Sequence, residues 1–312
     1  MTSSHSYRRL IIDREIGPLL FAVNFGRLSG GIVPFGLVAF YSDRQEYIHA
    51  GVASAVLMVV SSLTAPYKGR LITRYSPRAT IVPMSLVFAL LLGTGVTLNA
   101  SGASFVVAMA GIVSGAAVAP PTPAVVRAIW TNVAETPATN RALHALDSTT
   151  EELTFAISPL ITSVLWATSG VFWSIPVGLC AGVLGNIAIV VLASRREASS
   201  HALMTRPLSG PPASNELFES VSVTSKRSIY FQPAAVGLLL PMVGLGIAMG
   251  GLSLILPAWS GQNLGAEAIS GVLLSVVSFA GFLAGIAFGK LPGGRVAARL
   301  QYQGAVALVA VG

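Results

Sequence analysis

Charge is scarce in this chain: Lys, Arg, Asp and Glu make up 10% of its 312 residues, against about 25% in soluble domains. So few ionic groups cannot cover a water-facing surface, whereas a lipid-facing one requires their absence. Cysteine is nearly missing. Cys180 alone excludes an intramolecular disulfide, a thiol redox pair and a cysteine metal cluster. The four histidines (His5, His49, His144 and His201) are scattered over loops and ends of apolar runs without ligand spacing, so no metal is expected. No glycine-rich phosphate loop of the GxxxxGK[ST] type is present, which leaves direct use of ATP by this chain unsupported. No acid, base and nucleophile cluster at one depth, so neither an enzyme nor a cofactor is expected.

What is abundant is apolar sequence, 53% of the residues, arranged in long runs. A hydrocarbon layer of about 30 Å needs about 20 helical residues to cross it. Eight charge-poor runs reach that length, at about 17–41, 48–67, 79–98, 104–126, 147–169, 171–193, 233–258 and 268–289. A ninth begins near Gly304 and stops at Gly312. The runs are continuous rather than alternating, which favours helices over barrel strands. The first is too long for a signal segment and is followed by no small-residue cleavage site, so it is read as the first span. The fold class expected is an all-α membrane protein of eight complete spans and the start of a ninth.

The basic residues fix an orientation. Seventeen of the 19 Lys and Arg fall in every second gap between runs. These gaps are the N-terminus, a first loop (Lys68, Arg70, Arg74, Arg78), a second (Arg127, Arg141), a long third containing Arg195 to Arg227, and a fourth (Lys290, Arg295, Arg299). The opposite gaps hold only Arg44, and Arg27 lies inside a run. Positive charge is retained in the cytoplasm, so a cytoplasmic N-terminus in a multi-pass protein of the cell membrane satisfies every gap. The net charge of +7 is divided among short loops rather than gathered on one face, which excludes nucleic acid as a partner. Residues 194–232, rich in Ser, Pro and charge, read as a cytoplasmic linker. They separate a six-helix unit over 1–193 from an incomplete second unit over 233–312, the layout of a transporter built from two six-helix halves. An internal repeat agrees: Gly69-Arg70-Leu71 follows the second run and Gly289-Lys290-Leu291 follows the eighth, each with two further arginines.

At these residues the chain resembles the major facilitator superfamily, and more narrowly the drug-efflux-like permeases of actinobacteria. The segment Gly69 to Arg78 is similar to the family signature between helices two and three. Gly69, Arg74 and Arg78 match it, whereas Thr73 stands in place of the family's aspartate and Ser76 in place of its second glycine. The resemblance implies a gating loop of Gly69, Arg70, Thr73, Arg74 and Arg78, without the carboxylate that latches the two halves. A second resemblance covers Arg141 through Leu160, like the fifth-helix region of those permeases. Pro159 matches there and Ser158 replaces a glycine. The family implies alternating access, a small organic substrate moved outward, coupling to protons and a monomer in the bilayer. An uptake permease shares every topological feature. The family has twelve spans, so a truncated, non-transporting remnant is a further alternative.

Arg27, in the middle of the first run, is the foremost site candidate, because a guanidinium at bilayer depth costs about 2.5–3.5 kcal/mol or more and requires a partner. It is either a substrate or ion-pair group or a structural pin between helices. Asn24, three residues earlier, shares its helical face. The candidate partners are Asp147, Glu151 and Glu152 at the start of the fifth run. Asp147 and Glu151 share a face and Glu152 points about 100° away. Glu152 is the deepest of the three, so the expected pair is Arg27 with Glu152, its protonation coupling to transport; the alternative leaves all three acids solvated at the cytoplasmic boundary. Pro120-Pro121-Thr122-Pro123 either breaks the fourth span as an inner gate or simply ends its helix. Glycines four apart (Gly26 and Gly30, Gly111 and Gly115, Gly246 and Gly250, Gly281 to Gly289) are expected to pack helices. Trp130, Trp166, Trp173 and Trp259 are expected at the membrane interface.

Overall fold

The computed structural model describes residues 10–14, 16–134, 136–199 and 233–289. The expected linker, the second basic repeat from Lys290 and the ninth run lie almost wholly outside the described residues. Among the described residues nine α-helices follow one another: α1 (Ile16–Ser42), α2 (Tyr47–Tyr75), α3 (Pro77–Ala100), α4 (Phe105–Val118), α5 (Thr122–Val133), α6 (Pro137–Ser169), α7 (Ser174–Ser199), α8 (Pro233–Leu264) and α9 (Ile269–Gly289). A single 3-10 turn, Val171–Trp173, precedes α7. No strand occurs among the described residues. Among the described residues five stretches are long and apolar enough to cross a membrane: Ile16–Ser42, Tyr47–Ile72, Pro77–Ala100, Phe105–Val133 and Val171–Arg195. Helices α6, α8 and α9 stand at the other three expected positions.

Two boundaries differ from the expectation. The second run extends as helix through Tyr75, so its supposed basic loop is mostly helical, since the family-like segment contains no breaker before Ser76 and Pro77. The fifth helix begins at Pro137, ten residues before the apolar run, where Thr136 accepts the backbone N–H of Thr139 at 3.1 Å. A polar capped start is invisible to a search for apolar length. The fourth span is broken rather than ended: α4 stops at Val118, Ala119 to Pro121 are non-helical, and α5 resumes.

Helix α1 is the axis of the assembly. Its first turns, from Ile16 to Val23, join Val126, Trp130, Leu143, Leu146 and Ile189 in one apolar cluster. Its later turns, from Val33 to Tyr41, join α2, α3, α4 and α7 in another. Trp130 therefore lies fully buried rather than at an interface. Bulky side chains such as Ile48, Leu63, Leu90 and Val106 point outward instead, the inverse of a water-soluble surface and suited to lipid.

Glycine sets the closest helix approaches. Gly26 of α1 faces Gly185 of α7, and Gly95 of α3 faces Gly111 of α4; a Cβ at Gly95, Gly111 or Gly185 would collide with the opposing backbone, and one at Gly26 would crowd the Gly185 Cα at 3.3 Å. By contrast, a Cβ at Gly30, Gly246, Gly250 or Gly281 would meet nothing within 4 Å, so the expected packing role holds for Gly26, Gly111 and Gly115 and fails for those four. Small residues matter here because helix association in lipid depends on close van der Waals contact rather than on water exclusion. Gly185→Leu is expected to destabilise the fold by about 1–3 kcal/mol or more through overpacking, read as a lowered melting temperature of the detergent-solubilised protein, while Gly246→Leu leaves it unchanged.

Candidate functional site

Between the two apolar clusters of α1 lies a polar belt. Arg27, eleven residues into a 27-residue helix, is buried to 6% exposure. Its Nη1 donates to Asp147 Oδ1 at 2.8 Å and its Nη2 to Asp147 Oδ2 at 2.9 Å, a bidentate fork that fixes both distance and plane. Glu151, one turn further along α6, holds an oxygen 3.8 Å from Nη2, and its side chain keeps 21% exposure against 4% for Asp147. The Nε–H of Arg27 is buried with no acceptor among the described residues.

The expected pairing of Arg27 with Glu152 is thus corrected to Asp147 and Glu151. Glu152 is exposed, and the reason is helical phase: residues four apart on α6 share the face turned to α1, and the next residue is carried about 100° round. Asn24 joins the belt one turn before Arg27. It donates to the Leu20 carbonyl at 2.8 Å and accepts from the Thr154 hydroxyl at 3.2 Å.

The belt continues along α6 as a buried stripe of Thr154, Ser158 and Thr162. Each hydroxyl donates to the carbonyl four residues back, at 2.8, 2.8 and 3.2 Å, with Thr154 sharing its one proton between the Thr150 carbonyl and Asn24. Ser158, standing where the related motif has glycine, is accommodated by Gly31 of α1, where a Cβ would strike the serine side chain. The small residue has moved to the facing helix. Pro159 is buried beside it. The hydroxyl periodicity 154, 158, 162 was readable in the sequence, but Thr and Ser inside apolar runs are so often bonded to their own helix that they carry little signal.

A second polar group, missed in the sequence, holds the broken fourth span. Asn186 of α7 donates to Ser85 of α3 at 2.8 Å and accepts from Thr122, at the start of α5, at 3.1 Å. Lys68, read as a loop residue, is buried on α2 instead. Its Nζ donates to the carbonyls of Ser61 at 3.0 Å and of Ala116, in the last turn of α4, at 3.4 Å. An ammonium at a helix C-terminus meets the negative end of the helix dipole. The lone amide in the apolar run 171–193 was the available signal; nothing in the sequence marked Lys68 apart from its arginine neighbours.

The gating-loop candidates occupy a helix corner. Gly69, Arg70, Thr73 and Arg74 lie on the last turns of α2 and Arg78 on the first turn of α3. The Arg74 guanidinium lies 5.3 Å from the Tyr75 ring centre. The chain reverses at Ser76 alone, with φ +76° and ψ +151°. That region belongs almost solely to glycine and costs other residues about 1–3 kcal/mol. Among the described residues no group of His, Cys, Asp and Glu could hold a metal ion.

The family model of the Major Facilitator Superfamily matches residues 19–312. No curated protein matches the chain, and no solved structure does.

Asp147→Ala is expected to destabilise the protein by about 3–5 kcal/mol, because it strands a buried guanidinium. The double variant Arg27→Met with Asp147→Leu regains most of that loss, and a thermal-denaturation cycle over the four proteins reads the coupling. Ser76→Gly is expected to raise stability by about 1 kcal/mol or more by releasing the backbone strain; an unchanged melting temperature would refute the strained corner.

Proposed function

The chain belongs to the major facilitator superfamily, a family of transporters rather than enzymes, and on that premise we propose that it exports a small organic molecule across the cell membrane by alternating access coupled to the proton gradient. The observation that carries this reading is the belt around Arg27. A guanidinium in an apolar span is costly, and here both its Nη groups are held by one carboxylate while a second stands beside it at 3.8 Å with partial exposure. A purely structural pin needs one acid. The surplus acid, Glu151, is the group able to exchange a proton or meet a cation without dismantling the helix pair.

In this reading Asp147 holds Arg27 in place, Glu151 takes up and releases the coupling proton, and Asn24 and Thr154 form the polar wall against which substrate sits. With Glu151 ionised the three charges sum to minus one; with it protonated they balance. The two forms therefore differ in affinity for a cationic substrate, which is the differential that couples proton and substrate binding. The N-terminus is cytoplasmic by the distribution of basic residues. Residues 1–193 form the first half, 194–232 a cytoplasmic linker and 233–312 belong to the second, and the protein works as a monomer.

The test is dye movement in proteoliposomes containing the 312-residue chain, with an imposed pH gradient and a panel of lipophilic cations. Arg27→Ala is expected to reduce gradient-driven movement at least about tenfold, since it leaves Asp147 buried and unpaired. Glu151→Gln abolishes the dependence on the gradient, whereas Glu152→Gln does not. Coupling that survives Glu151→Gln would sink the assignment of the proton to that residue, and inward movement against the gradient would turn the reading to uptake.

A further inference from the structure

Two basic side chains are buried among the described residues, and only one of them has a counter-charge. Arg27 draws its acids from α6. Lys68 of α2 is buried to 5% exposure, yet no carboxylate lies within salt-bridge distance of it among the described residues. The helices around it cannot supply one, because α1 to α5 contain no Asp or Glu at any position.

The direction of the side chain is as informative as its burial. Lys68 lies in the last third of α2, which ends at Tyr75. A lysine so placed ordinarily snorkels toward the nearer water. This one runs the other way, back along α2 to the Ser61 carbonyl, about 10 Å further from that end at 1.5 Å per residue. Its ammonium stops beside the break in the fourth span, at the Ala116 carbonyl. That carbonyl has lost its helical donor, since residue 120 is a proline without an N–H, and takes the Ala119 N–H at 3.3 Å instead.

A missing backbone donor calls for a neutral replacement, and an ammonium exceeds that need. It carries three protons. The Ser61 carbonyl takes one at 3.0 Å, but the Ala116 carbonyl and the Ser61 hydroxyl stand at 3.4 and 3.5 Å, beyond the ordinary range of about 2.7–3.2 Å. Two donors are therefore weakly held, and the charge meets only the fractional negative end of α4. Ser61 and the stretch from Ala117 to Thr122 are half-buried, so the buried head lies next to a partly open seam.

We propose that Lys68 is the contact group of an anion site at this break, taking a small monovalent anion or the carboxylate group of an organic one. Such an anion replaces the two long contacts with charge-assisted bonds of about 2.7–2.9 Å and neutralises the ammonium where the fold does not. The site uses no residue of the Arg27 belt and does not depend on the exporter reading.

The test is thermal denaturation of the full chain in nanodiscs of zwitterionic lipid, with chloride or acetate replacing the bulky sulfonate HEPES at constant ionic strength. The melting temperature is expected to rise saturably, by about 3 °C at ten times the half-saturating concentration. Lys68→Met loses the rise and Lys68→Arg keeps it. Arg127→Met, which removes an exposed charge, keeps it as well. Ser61→Asp sets a carboxylate beside the ammonium and is expected to ignore both anions while melting at or above the parental temperature. A rise with chloride alone assigns the site to an inorganic ion, and a rise with acetate to a carboxylate-bearing ligand; either supports it. No saturable rise in the parent, or a full rise in Lys68→Met or Ser61→Asp, would overturn the site; should Lys68→Met fail to insert, Ser61→Asp decides.

Discussion

A guanidinium inside the hydrocarbon layer has to find its counter-charge there, and the arrangement of α1 and α6 follows from that requirement. Arg27 meets both oxygens of Asp147, which sets the level of one helix against the other. Once that level is set, Asn24 falls opposite Thr154 and Gly31 opposite Ser158. The belt separates two apolar clusters on the same helix. Both clusters are made of hydrophobic side chains, so the buried charges of α1 and α6 are confined to the layer between them.

The broken fourth span shows the same rule applied to the backbone. Interrupting a helix in lipid frees carbonyl and amide groups that need partners. Lys68 reaches the carbonyl of Ala116, and Asn186 takes the hydroxyl of Thr122. The prolines that remove helical hydrogen bonds are thus matched by side chains from two neighbouring helices. Beyond the break, α5 carries Trp130 in the cluster at the foot of α1.

Much of this was legible in the letters. Long charge-poor runs marked the spans, and Arg27 stood out because charge in such a run is rare. The acids near the start of the fifth run marked its partners, although the expected pairing was with the wrong one. Depth in the run favours Glu152, but helical phase decides the contact: Asp147 and Glu151 share the face turned to α1, while Glu152 is carried away from it. The basic residues before Ser76 suggest a loop, yet nothing in Gly69 to Tyr75 stops a helix. Lys68 was hidden by its neighbours, since one lysine among arginines gives no sign of which is buried.

The sequence by itself determined that this chain lives in a bilayer, roughly where it crosses and where an intramembrane charge would need a partner. Hydrophobic length and charge are additive along a chain, so they are read without knowing what touches what. Which acid answers Arg27, which glycines bring backbones together and which lysine is buried were decided only by the tertiary structure. Those depend on the rotation and level of one helix against another, a relation between distant segments that no local pattern of residues contains.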